Sequence, residues 1–172
     1  IGLGLHEAMA CLVPGLPRGD YEQMIQRYRA HWLPRDPQVA LFPGSVAMLA
    51  QLAERGHMLA IATGKSSAGL RRALHATGVA DFFAATRCAD QCASKPAPDM
   101  LQELMHELAT LPEHTLMVGD TTHDLQMARH AGVDSLAICH GAHARDNLAA
   151  LEPLACLDDT AQLAQWLQSH AA

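Results

Sequence analysis

The chain has 172 residues, 49% of them apolar, which is enough for one buried core with at most a small appendage. With 18 Asp and Glu against 12 Lys and Arg, a net charge of −6 and no stretch of basic residues, it lacks the basic stripe of a phosphate-backbone binding surface, so no nucleic acid partner is expected. No apolar stretch approaches the roughly 20 residues of a membrane-spanning helix, so no membrane partner is expected either.

The sequence opens Ile1-Gly2-Leu3-Gly4-Leu5, with neither an initiating Met nor a signal-peptide pattern, and residues are expected to be missing upstream. His6 to Val13 can form a short helix closed by Pro14-Gly15-Leu16-Pro17. Tyr21, Met24, Ile25, Tyr28 and Trp32 then recur at helical spacing, with Asp20 placed to cap. This predicts a helix from Asp20 to Trp32 whose aromatic stripe is core rather than a partner-binding surface. Pro34 to Pro37 cannot continue it. Residues 1–41 read as a small helical piece with a proline-rich exit.

After Phe42-Pro43-Gly44 helices and short β-type runs alternate. A helix through Val46 to Ala53 ends at Gly56 and leads to a buried strand, Met58 to Ala62. A helix from Ser67 to Thr77, stopped at Gly78, leads to Phe83–Arg87; a helix from Pro96 to Ala109 leads to Thr115–Val118. Thr122 to Ala131, stopped at Gly132, leads to Ser135–Cys139, and a last strand at Ala155–Leu157 precedes the helix Thr160–Gln168. Such alternation predicts an α/β fold, a Rossmann-like parallel sheet with helices on both faces.

The five cysteines are irregularly spaced, Cys88 and Cys92 having three residues between them, which fits reduced thiols of a cytoplasmic protein better than a zinc or redox pair. Of the eleven histidines, His140 and His143 lie close enough to suggest a shared site; a polar loop is the better reading.

In folds of this kind ligands bind beyond the carboxyl ends of the strands, and three of those ends are chemically marked. Thr63-Gly64 offers a hydroxyl and an approachable N–H, backed by a helix N-terminus that suits a phosphate oxygen; the same residues also suit an ordinary turn. Gly64-Lys65-Ser66 imitates the end of a P-loop, but that motif needs a Gly where Leu59 stands. Lys95, before Pro96, is placed to neutralise a transferring phosphoryl group, or to be a plain surface lysine. Asp120 and Asp124 flank three residues at a strand end, a pair that fits the one or two carboxylates Mg²⁺ takes from a protein. Alternatively Asp120 caps the following helix and Asp124 is solvated.

In this order and spacing, Thr63-Gly64, Lys95-Pro96-x-Pro98 and Gly119-Asp120-x-x-x-Asp124 resemble the second, third and fourth motifs of the haloacid dehalogenase superfamily, phosphoglycolate-phosphatase-like branch. The resemblance covers about residues 42 to 160. It implies a Mg²⁺-dependent phosphatase acting on a small organic phosphate through an aspartyl-phosphate intermediate. Thr63 and the Gly64 amide would bind the phosphoryl group, Lys95 would bridge it to the nucleophile, Asp120 would ligate Mg²⁺, and Asp124 would hold the metal directly or through water. Residues 1–41 would be part of a helical cap and 42–172 a core lacking its first strand. The first motif, Asp-x-Asp-x-Thr, does not occur in the sequence, so nucleophile and general acid are expected upstream and these residues alone are expected to be inactive. A non-catalytic binding or regulatory module of the same fold, or a phosphoglucomutase-like phosphoryl transferase, is the alternative.

Overall fold

The computed structural model describes residues 1–32 and 40–170, Arg18 by its backbone alone. The segment Pro34 to Pro37, read above as a helix breaker, lies outside the described residues.

Helix α1 (Leu5–Leu12) packs against α2 (Arg18–Trp32), burying Met9 and Ile25. Between them the Tyr21 hydroxyl donates to the Val13 carbonyl at 2.9 Å and accepts from the Leu16 N–H at 3.3 Å, tying the Pro14–Pro17 turn to the helix. Two expectations are corrected here. Helix α2 begins two residues before Asp20, which therefore sits in its first turn instead of capping it. Tyr28 and Trp32 are not core: they are 43% and 38% exposed and stack on each other, centroids 6.4 Å apart. Eight residues of α1 span about 12 Å against about 22 Å for α2, so the last turns of α2 run past their partner.

The rest alternates as expected, with one short helix, α7, in addition: α3 (Ser45–Glu54), β1 (Leu59–Thr63), α4 (Ser67–Thr77), β2 (Phe83–Cys88), α5 (Asp99–Glu107), β3 (Leu116–Gly119), α6 (Thr122–Ala131), β4 (Asp134–Ile138), α7 (Arg145–Ala149), β5 (Ala155–Leu157) and α8 (Thr160–His170). Gly78 and Gly132 end α4 and α6 at φ +67° and +71°, a conformation that costs glycine nothing. Helix α5 starts at Asp99, not Pro96. Lys95 and Ala97 each precede a proline, which disfavours the α region at both, so the helix cannot begin until Pro98 is passed.

All strand pairs are parallel, in two sets: β1 with β2, and β3-β4-β5. Among the described residues no strand bridges β1 to β3. The two sets share a core nonetheless. Met117 of β3 and Ala62 of β1 both pack into a cluster with Met100, Leu101 and Met105 of α5 and Met127 and Ala128 of α6. On the other face, Leu116 and Val118 join Leu136 of β4, Leu163 and Leu167 of α8, and Met48 and Leu52 of α3. The period-2 alternation of β3 thus feeds both layers, helices covering each face of a Rossmann-like sheet. Strand β1 is half-buried rather than buried, with Met58 58% exposed just before it, because its edge away from β2 has no strand partner among the described residues.

Candidate active site

The three marked strand ends converge, and one side chain joins them. Lys95, 6% exposed, donates from Nζ to the Ala62 carbonyl at 2.8 Å and to Asp124 Oδ1 at 2.5 Å. It thereby links the end of β1 to the start of α6. An ammonium has three N–H donors, so one is left for a ligand. Lys95 is not the surface lysine of the plainer reading.

Asp124 is buried as well, at 4%. Its Oδ2 accepts from the Thr121 N–H at 3.0 Å and the Thr121 hydroxyl at 2.7 Å, while the Thr121 side chain accepts from the Asp124 N–H at 3.3 Å. This reciprocal capping box starts α6. The cap is therefore Thr121, not Asp120, and Asp124 is not solvated. Gly119 makes room for it, since a Cβ there would stand 2.7 Å from Asp124 Cγ and closer to its Cβ. Both Asp124 oxygens are committed to protein donors.

Asp120 is different. It is half-buried beside a cavity of about 220 Å³ lined also by Phe42, Met48, Val118 and His140. Its Oδ2 accepts from the Ala142 N–H at 2.9 Å, and Oδ1 has no protein donor among the described residues. Oδ1 is the one carboxylate oxygen of the pair open to a cation. Among the described residues no three His, Cys, Asp or Glu side chains form a group that could hold a metal. An open carboxylate oxygen with an ammonium-paired carboxylate close along the chain is nevertheless a donor set that suits Mg²⁺, which keeps several waters and takes few protein ligands.

Thr63 ends β1, and its hydroxyl oxygen accepts from the Lys65 N–H at 3.1 Å, leaving the hydroxyl hydrogen to donate outward. Gly64 follows, and Ser66 caps α4 by accepting from the Gly69 N–H at 3.3 Å. Reading the sequence did not reveal what covers this loop. The Gly4 N–H donates to Ser94 Oγ at 2.9 Å, a Cβ on Gly64 would lie 2.5 Å from the Leu3 carbonyl oxygen, and a Cβ on Gly2 would lie 2.7 Å from Thr121 Oγ1. Gly2 to Gly4 cross the crevice backbone-first. The clustered glycines at the start of the chain were the available signal.

His143 and His140 do not share a site. His143 Nδ1 accepts from the Thr122 N–H at 3.1 Å, and His140 Nδ1 meets the Asp158 carbonyl at 2.9 Å. The His123 imidazole is held below its ordinary value, first by burial and then by His143, whose ring lies 5.5 Å away. All five cysteines are free thiols, and burial pushes the Cys88 thiol up.

The family model for haloacid dehalogenase-like hydrolases matches residues 1–138. The chain belongs to that family. This haloacid dehalogenase-like hydrolase is 38% identical over 165 residues to a Dickeya dadantii protein named "Probable phosphatase IndB", covering 92% of this chain and 71% of that one. It is 35% identical over 175 residues to the phosphoglycolate phosphatase of Rhodospirillum rubrum, covering 96% and 72%. These relatives place the hydrolase among the phosphatases of the family, on the phosphoglycolate-phosphatase-like branch. In fold it matches a hydrolase from Pseudomonas syringae with a TM-score of 0.88 at 19% identity, over 100% of this chain and 81% of that one. A haloacid dehalogenase-like family protein from Streptococcus pneumoniae matches at 0.81 and 21%, over 95% and 76%. No helix among the described residues is long and apolar enough to cross a membrane.

Proposed function

We propose that this phosphatase hydrolyses the phosphoric monoester of a small metabolite, with Mg²⁺ held by Asp120 Oδ1 and, through water, by Asp124. The observation that carries the reading is the Lys95 bridge, which brings a cation, the end of β1 and the Asp124 carboxylate together. The Thr63 hydroxyl and the Gly64 N–H would hold two phosphoryl oxygens, and the third Lys95 N–H would neutralise charge developing on the group in transfer. Mg²⁺, when bound, supplies a Lewis acid that orients a phosphoryl oxygen and offsets its charge.

The attacking group in this reading is an aspartate carboxylate on a strand between β1 and β3, outside the 172 residues. Its oxygen bonds to phosphorus as the ester oxygen leaves with a proton from a general acid, and water then cleaves the aspartyl phosphate. The parallel edges of β1 and β3, each without a partner on the facing side among the described residues, support a strand there. We assign residues 1–41 to part of a cap and 42–172 to the core. Gly2 to Gly4, lying over the Gly64 loop, would exclude bulk water from the transfer. The free thiols support a cytoplasmic setting.

The test is phosphate release from a panel of small phosphate monoesters by the native protein, with Mg²⁺ varied. Asp120→Asn is expected to abolish Mg²⁺-dependent release; turnover equal to the unsubstituted protein would overturn the metal assignment.

A further inference from the structure

The loop that follows β4 grips Asp120 at three points. The Ala142 N–H donates to Oδ2 at 2.9 Å, the His143 N–H donates to the Asp120 carbonyl at 3.1 Å, and Gly141 lies flat against the carboxylate. A Cβ on Gly141 would stand 2.6 Å from Asp120 Cγ and closer still to Cβ and Oδ2. Gly141 is not among the positive-φ glycines, so glycine is needed here for the close approach and not for the backbone angle. The contacts join residues 21 to 23 positions apart across the ends of β3 and β4, which pair in parallel with Gly119 opposite Ala137.

The consequence is a carboxylate with one oxygen spent and one presented. Mg²⁺ demands near-octahedral geometry and short bonds, whereas Ca²⁺ accepts two-oxygen carboxylate coordination and a looser shell. A carboxylate locked to single-oxygen donation therefore favours the smaller ion. We propose that Gly141 is a positioning residue, and that the loop 140–144 holds Asp120 as a one-oxygen donor and so sets the preference for Mg²⁺ over Ca²⁺. This rests on Asp120 being a metal ligand.

Gly141→Ala forces the Asp120 carboxylate and the loop apart, and because the added Cβ would also meet Asp120 Cβ, the two backbone segments must separate as well. Ala142→Pro leaves residue 141 unchanged, removes the donor to Oδ2 and sets the ring Cδ where that hydrogen stood. Calorimetric titration of the native protein and both variants with Mg²⁺ and with Ca²⁺, without substrate, reads the effect directly. Loss of an outer partner of a metal ligand typically costs about 10–100-fold in affinity, and both variants are expected to lose Mg²⁺ affinity in that range while Ca²⁺ affinity changes by less. The Mg²⁺-to-Ca²⁺ ratio falls in both variants, whether or not the unfolding midpoint in excess chelator is lowered. Unchanged Mg²⁺ affinity in Gly141→Ala, with Asp120→Asn abolishing it, overturns the positioning role and leaves Asp120 a ligand. Equal losses for both ions with a lowered chelator-treated midpoint overturn it in favour of a general collapse of the loop. Undiminished Mg²⁺ binding in Asp120→Asn overturns the proposed metal site and this inference together.

Discussion

The two halves of the sheet are built from the same βα units but differ in how well they are enclosed. In β4, Leu136 and Ala137 are 0% exposed, flanked by β3 and β5 and covered by helices on each face. In β1 no residue reaches that state, although Leu59, Ala60, Ile61 and Ala62 are as apolar. A strand is buried by its neighbours and not by its own composition. At the carboxyl end Lys95 spans the interval between the halves, with its ammonium on a carbonyl of one and a carboxylate of the other.

Cutting that tie is expected to have the largest effect. Lys95→Met strands the buried Asp124 charge, which typically costs about 3–5 kcal/mol, and urea denaturation would read it; hydrogen exchange should show β1 and β2 losing protection before β3 to β5. Next comes the contrast between the halves themselves. Leu136→Ala should cost about 2–5 kcal/mol as a cavity in a closed core, whereas Ile61→Ala in half-buried β1 should cost under about 2 kcal/mol. Equal losses would mean the halves are enclosed alike. The smallest effect concerns Asp90, beyond the end of β2. Burial pushes its carboxyl up, but the Ser67 hydroxyl and N–H, at 2.8 and 2.9 Å, outweigh it and the net shift is downward. A lowered carboxyl stabilises the fold above its unfolded value near 3.8, and that contribution is lost as pH falls through the lower folded value. Ser67→Ala should move the Asp90 titration, followed by NMR, back upward with little change in stability at neutral pH.

How far the sequence could be read depended on the range of the interaction. Helix α4 was legible from Ser67 to Thr77 because its cap and its terminating Gly78 lie within the segment itself. Helix α7 was missed, since five residues carry no period. The helical spacing of Tyr28 and Trp32 named a face but could not say how far α1 would extend to cover it. At the site, Thr63, Lys95 and Asp124 were legible as residue types at strand ends. The bonds of the Lys95 ammonium to Asp124 and to the Ala62 carbonyl were not. The hold of Gly141 and Ala142 on Asp120, and the crossing of Gly2 to Gly4, were not, because the partners are remote in sequence and act through backbone atoms that no side-chain pattern marks.

The capping box at the start of α6 carries a genetic consequence. Asp124 serves at once as the lid on a helix and the counter-ion of Lys95, so a substitution there bears on both uses in one step. The Asp120 carboxylate has no part in that box, so a substitution there leaves the cap of α6 and the Lys95–Asp124 pair in place.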